Sequence, residues 1–329
     1  MKARIVGFVV AAVGAVGPLG AQCSSAPTSA RQACYASQDL INYMTPQLAT
    51  AIAGGSSTLG QSGALGGLGR FAISVRGTGI INGAFPKIGD EGFRTDGQPQ
   101  QYAVDKQIVP GAGVDAAIGL TKGWSLGATH VGGIDLLVSA LYLPDVEGNG
   151  SNDFSIKAKD GNLKLGYGVR VGILDESVVT PGVYVSYLQR DLPTMTLSGT
   201  SDGGSSGTGG TFALNDFSVK TTAWRLVASK NFLILGLQAG VGQDKYTSSA
   251  GITATVNTLL GNQTATGSAS MDMTRTNVFA GAIVNFFAFK LVGEVGQVSG
   301  GSVPVLFNSF DKPADESKTY ASVGLRIAY

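Results

Sequence analysis

Residues Asn162–Leu174 read "NLKLGYGVRVGIL". Odd positions carry Leu163, Leu165, Tyr167, Val169, Val171 and Ile173, while even positions carry Asn162, Lys164, Gly166, Gly168, Arg170 and Gly172. A two-residue period held this long describes a strand with one apolar and one polar face. The same rhythm returns in Phe71–Asn82, Val178–Arg190, Phe232–Asp244, Val278–Phe286, Phe287–Val298 and Ser317–Tyr329. Ile134–Leu143 is apolar on both faces. Asp216–Ser229 loses phase near Thr221, which predicts a bulge there.

Strand length narrows the architecture. Strands of soluble sandwiches average ~5–6 residues, whereas ~9–11 tilted residues cross a bilayer, and most segments here are longer still. Short turns are expected around Thr121–Trp124, Leu174–Ser177, Ser229–Asn231 and Phe286–Ala288. Long polar links are expected over Gly83–Gln107, Pro144–Gly161, Asp191–Thr211, Ser248–Gly267 and Gly300–Glu316. Short turns on one rim and long loops on the other describe a transmembrane antiparallel β-barrel. The count is about ten strands, with about eight, twelve or fourteen as alternatives. Residues 69–329 would form it.

The N-terminus implies export. Lys2 and Arg4 precede the apolar run Ile5–Val16, and Pro18-Leu19-Gly20-Ala21 follows, the layout of a signal peptide over residues 1–21. The run is shorter than the ~20 residues a membrane helix needs. The two cysteines, Cys23 and Cys34, read as a disulfide in an exported chain. The rival is a lipid-modified Cys23, for which Gln22 is bulky. Lys and Arg number 23 against 22 Asp and Glu, so removing the leader leaves a near-neutral chain with no electrostatic case for nucleic acid.

Residues 22–68 form a separate unit. Leu40, Met44, Leu48 and Ile52 are spaced four apart within Ser37–Ala53, which predicts a short amphipathic helix capped by Ser37 and kinked or divided at Pro46. The stretch Gly54–Gly69, "GGSSTLGQSGALGGLG", leads into Arg70. No Lys-Ser/Thr follows these glycines and no strand precedes them, so they are not read as a nucleotide loop.

The terminal residues Ser322-Val323-Gly324-Leu325-Arg326-Ile327-Ala328-Tyr329 resemble the C-terminal assembly signal of bacterial outer-membrane β-barrel proteins: polar, any, Gly, any, any, apolar, any, aromatic. Ser322, Gly324, Ile327 and Tyr329 fill its four specified positions. The resemblance implies residence in the outer membrane of a Gram-negative-type cell, contact with its lipid, and the barrel-assembly machinery as a partner. Tyr187, Phe232, Phe286, Phe287, Phe289 and Tyr329 would then supply an interfacial girdle. In layout alone, a disulfide-tied, partly apolar segment ahead of a barrel resembles the hatch of FadL-type transporters for hydrophobic compounds. That likeness implies Leu40, Met44, Leu48 and Ile52 as plug residues and a small hydrophobic ligand.

The polar faces place Arg70, Arg76, Asp115, Asp135, Lys164, Arg170, Asp244, Arg275, Lys290, Glu294 and Arg326 as lumen-lining candidates, with Phe279 and Ile283 as apolar residues among them. Both signs of charge occur, so a charge-selective porin is not indicated, and about ten strands enclose a space near what side chains fill. The lone histidine, His130, forbids metal clusters that need two and is expected on the short-turn rim. No cofactor, metal or enzymatic constellation is read. The readings carried forward are passive transport gated by the N-terminal segment, a structural or surface-binding barrel acting through its long loops, and, last, an outer-membrane enzyme. Oligomeric state is left open.

Overall fold

A computed structural model of the chain describes residues 21–61, 63–147, 154–204, 207–287 and 289–329. The expected signal peptide, apart from Ala21, lies outside the described residues.

The alternating segments form ten long strands: β1 Phe71–Ile80, β2 Val109–Thr121, β3 Gly133–Tyr142, β4 Leu163–Leu174, β5 Gly182–Asp191, β6 Gly210–Phe232, β7 Leu235–Thr258, β8 Gly261–Asn285, β9 Lys290–Ser299 and β10 Lys318–Ala328. Each pairs antiparallel with its neighbours in sequence. The ring closes where β1 meets β10, in register from Ala72↔Ala328 to Ile80↔Tyr320. The ten strands therefore close into an all-β ring. Its apolar rows point outward: Ile73, Val75, Val169, Leu325 and Ile327 are exposed, and Arg76, Arg170 and Arg326 on the alternate rows are buried. The two-sided apolar strand also has an explanation. Leu137 of β3 points inward, packing with Ala117 and Leu188, while Leu136 and Tyr142 face out.

Several expectations are corrected. The link Ser248–Gly267 is strand, not loop: β7 and β8 pair without a break to Thr258↔Gly261 and rise as a long hairpin. Its inward row is Ser248, Ala250, Ile252, Ala254 and Val256, small residues whose alternation is easily taken for a polar linker. The link after β5 contains a further strand, Met195–Ser201, paired to β6. The bulge in β6 falls between Asn215 and Ser218, with Asp216 at φ 54, not near Thr221. The turn at Thr121–Trp124 is instead a longer link holding a small hairpin, Trp124–Leu126 against Thr129–Val131. Val178 and Val179 belong to the turn before β5 and are exposed. Phe71, Phe232, Phe286, Phe287, Phe289 and Tyr329 are exposed at the short-turn rim, whereas Tyr187 sits mid-strand opposite Val169 and Trp224.

The N-terminal unit begins with a short turn of helix, α1 Ala21–Ser24, and continues as α2 Thr28–Ala53. Cys23 and Cys34 are disulfide-bonded, joining α1 to α2. The helix starts nine residues before the expected Ser37, whose hydroxyl donates to the Ala33 carbonyl within the helix rather than capping it. It also runs on through Pro46 undivided. Within α2 only Thr28, Ser29, Arg31, Tyr35 and Leu48 escape full burial. Both its apolar and its polar faces are covered, because it packs against β1, β2, β5, β6, β7, β8 and β10. A helix touching strands around the whole ring lies inside it. Gly111 of β2 permits the closest approach: a Cβ there would sit 2.6 Å from the Ala51 carbonyl oxygen.

Candidate functional site: the filled lumen

Inside the barrel α2 occupies the half toward the long loops. Gln32 donates to the Tyr102 hydroxyl (2.8 Å) and accepts from the Arg94 amide (3.1 Å). Asp39 accepts from the amides of Phe307 (3.1 Å) and Asn308 (2.8 Å) and from the Asn308 side chain. Burial pushes the Asp39 carboxyl up to about 6, against the lowering effect of those donors. Lower down, Gln47 pairs with both backbone groups of Ala84 (2.8 and 2.7 Å). Leu40, Met44 and Ile52 are buried and Leu48 is half-buried. The first two, with Ile52, join a large apolar cluster that includes Phe212, Phe217, Ile252 and Met271.

From Gly54 the chain leaves the helix and descends through the other half. Its backbone is gripped residue by residue by inward side chains. Arg225 donates to the carbonyls of Ala53 and Gly55, both at 2.8 Å, and pairs with Asp244 at 2.6 Å. The guanidinium thus meets the last carbonyls of α2, where a cation is favoured. Glu294 accepts the Ser56 amide (3.1 and 3.2 Å) and the Gln238 side chain. Arg76 donates to the Ser56 carbonyl (2.9 Å) and Arg190 to that of Ser57 (2.8 Å); the two share Asp115. Arg170 reaches the Thr58 hydroxyl (2.6 Å) while paired with Asp135 (2.7 Å), which also accepts the Leu65 amide. Arg326 donates to the Gly60 carbonyl (2.5 Å) and to the Gln61 side chain. Gly66, Gly67 and Gly69 then turn the chain at φ 93, 104 and 83 into β1. That left-handed run is easy for glycine and strained for other residues.

Eight of the lumen candidates, Arg76, Asp115, Asp135, Arg170, Asp244, Arg275, Glu294 and Arg326, are buried. Arg275 grips a different segment, donating to the carbonyls of Gly300, Asp315 and Glu316. Lys290 is half-buried at the short-turn mouth, and Lys164 is half-buried at the other end of β4. Arg70 is a correction: it precedes the first inward position of β1, is exposed, and lies 5.8 Å over the Tyr329 ring. Phe279 and Ile283 do point inward. The sequence reading missed Arg190 and Arg225, along with Tyr184, Tyr246, Tyr320 and Asn277, all buried. For Arg225 the signal was the inward row Ala223-Arg225-Val227, which a phase shift placed near Thr221 obscures. His130 stays on the short-turn rim, its carbonyl accepting the Asp175 amide. Among the described residues no cluster of three metal-ligating side chains occurs.

No family model matches the chain, and no curated protein matches it in sequence. Among solved structures it is similar to an anion-selective porin from Comamonas acidovorans (9% identity, 79% of this chain and 98% of that one, TM-score 0.17). It is also similar to OmpT, an outer membrane protein of Vibrio cholerae in its trimer form (10% identity, 79% and 98%, TM-score 0.15). A third is the outer membrane protein opdK from Pseudomonas aeruginosa (8% identity, 79% and 99%, TM-score 0.16). Overlap this slight carries no argument. The fold stands on the strand register of the chain itself.

Proposed function

We propose that the chain is an outer-membrane β-barrel closed by its own N-terminal segment, and that it passes a small solute when the lower part of that segment yields. The observation that carries this reading is an apolar outer wall around a lumen filled by residues 28–61. An aqueous surface rarely exposes so continuous an apolar band, whereas hydrocarbon demands it together with a closed sheet. No helix among the described residues is long and apolar enough to cross a membrane; the strands would do so. Ser322, Gly324, Ile327 and Tyr329, on the strand that closes the ring, suit recognition by the assembly machinery.

The cargo divides the lumen in two. The packed apolar cluster around Leu40, Met44 and Ile52 in the upper half suits the hydrophobic compound that the FadL-type likeness implied. Along the lower half such a compound would pass Arg225, Arg190, Arg76, Arg170 and Arg326 with their carboxylates, so a small polar solute suits the full passage better.

The test locks the segment. The hydroxyls of Ser57 and Ser186 are 2.6 Å apart, so Ser57→Cys with Ser186→Cys places two thiols within disulfide reach. In planar bilayers the reduced form should conduct and the oxidised form should not. Equal conductance in both states refutes gating by the segment, and none in either refutes conduction and leaves a structural barrel.

A further inference from the structure

At the short-turn mouth, beneath the end of the gripped segment, lies a cavity of about 410 Å³ lined by Gln61, Ala64, Leu65, Gly66, Arg70, Lys122, Lys290, Arg326, Ala328 and Tyr329. Four of these are cations, and none of the described lining residues is a carboxylate. We infer that this mouth is a binding site for a phosphate-bearing anion.

Three observations support the assignment. Arg326 is buried, and although its terminal nitrogens hold Gly60 and Gln61, its Nε has no hydrogen-bond partner. Buried polar groups are nearly always satisfied, so the orphaned guanidinium N–H leaves one donor of a lining residue unpaired. Three carboxylates act on these cations: Glu176 on Lys290, Asp175 on Lys122 and Asp135 on Arg326. Glu176 is already committed, accepting the backbone amide and side-chain nitrogen of Asn231 at 2.5 and 2.6 Å. Among the described residues no carboxylate side chain forms a salt bridge with Arg70, Lys122, Lys290 or Arg326.

The chemistry selects phosphate. Like charges converging on a concave, partly apolar wall focus the potential and raise the local concentration of anions. A dianionic tetrahedral group offers enough acceptors for Arg326, Lys290 and the two outer cations, whereas a single carboxylate has two oxygens. The volume lies in the range of small-molecule pockets, leaving room beyond the phosphate for an organic portion against Ala64, Leu65 and Tyr329. Two sources share this chemistry, a soluble organophosphate and a phospholipid headgroup at the rim. The site does not depend on the barrel conducting anything.

The test uses the full chain in detergent, with Arg326 left intact because it also holds the segment. Glycerol 3-phosphate is titrated calorimetrically against wild type, Lys290→Gln, and Lys290→Gln with Arg70→Gln. Resistance of each folded barrel to heating, read by gel mobility, checks that the variants fold. Saturable binding weakened at least tenfold in the double variant supports the site with a soluble source. No soluble binding, but retention of phosphatidic acid through delipidation by wild type and its loss from the double variant, supports the site with a lipid source. Neither ligand retained, or either bound equally by the double variant, overturns the inference.

Discussion

Arg225→Met is the sharpest probe of the grip. The substitution keeps the apolar stem and deletes the guanidinium, so it leaves Asp244 Oδ1 without its 2.6 Å partner and strips donors from the carbonyls of Ala53 and Gly55. Asp244 keeps only weaker support on Oδ2, from the Tyr246 hydroxyl and the Asn277 side chain, each at 3.2 Å. Removing one partner of a buried ion pair costs about 3–5 kcal/mol, chiefly as the penalty of the charge left behind. The two orphaned carbonyls add roughly 1–3 kcal/mol each where water cannot reach them. Taking ~3 kcal/mol as the floor, local opening of residues 54–61 should become about a hundredfold more frequent. Hydrogen exchange of the full chain in detergent reads this directly, with β1 and β10 as internal controls whose protection should hold. Adding Asp244→Asn removes the orphaned charge and should restore about 1–3 kcal/mol of the loss, since the penalty and not the pair is what the single variant exposes. The reasoning fails if protection of residues 54–61 changes less than threefold in Arg225→Met, or if the double variant opens as readily as the single one.

Two further outcomes are expected. Replacing Cys23 and Cys34 together by serine should cost the N-terminal end about 3 kcal/mol through the lost loop constraint. Protease should then cut before Ala36 while the barrel keeps its heat-resistant gel mobility; a protected N-terminus would mean that packing alone holds it. Asp39 provides a pH dependence. Because its folded-state value is raised from 3.8 to about 6, its protonation favours the folded state, so its contribution is full below about pH 4 and lost as pH rises through 6. The melting midpoint measured by circular dichroism should fall over that window in wild type and flatten in Asp39→Asn; equal slopes would exclude Asp39 as the source.

The barrel was legible because two physical periods were clean. The alternation in "NLKLGYGVRVGIL" survives intact in β4, with Arg170 inside and Val169 and Val171 outside, since slipping one residue would turn the charged row onto the apolar wall. The hairpin of β7 and β8 was less legible because its inward row, Ile252 and Val256 apart, is alanine and serine, which differ little in polarity from the threonines facing out. The helix was underestimated for a related reason. Its apolar stripe of Leu40, Met44, Leu48 and Ile52 suggested one buried face, but Gln32, Asp39, Gln47 and Thr50 find their partners in loops and strands 37 to 276 residues away. Such partners have no local signature. The same holds for the arginines along the descending segment: Arg76, Arg170 and Arg326 were visible as inward charges, but what they hold is backbone or a small polar side chain, and carbonyl oxygens carry no letter in a sequence.

The closed seam between β1 and β10 imposes an order of assembly. Residues 54–69 join α2, near the long loops, to β1, which begins at the opposite rim, so the chain passes through the hole of the ring. A helix with its side chains is about 10–12 Å across, and here it also carries a cross-linked loop at its leading end. Threading that assembly upward through a completed ring would mean forcing it past Arg326, Arg170 and Arg190 while their carboxylate partners already draw the walls together. Wrapping needs no such passage. The strands curl around a segment already lying among them, its carbonyls recruiting each arginine as the wall arrives, and the seam is zipped last, from residues that flank the enclosed segment on one side and end the chain on the other. The segment that fills the finished barrel is thereby also the core on which it is built.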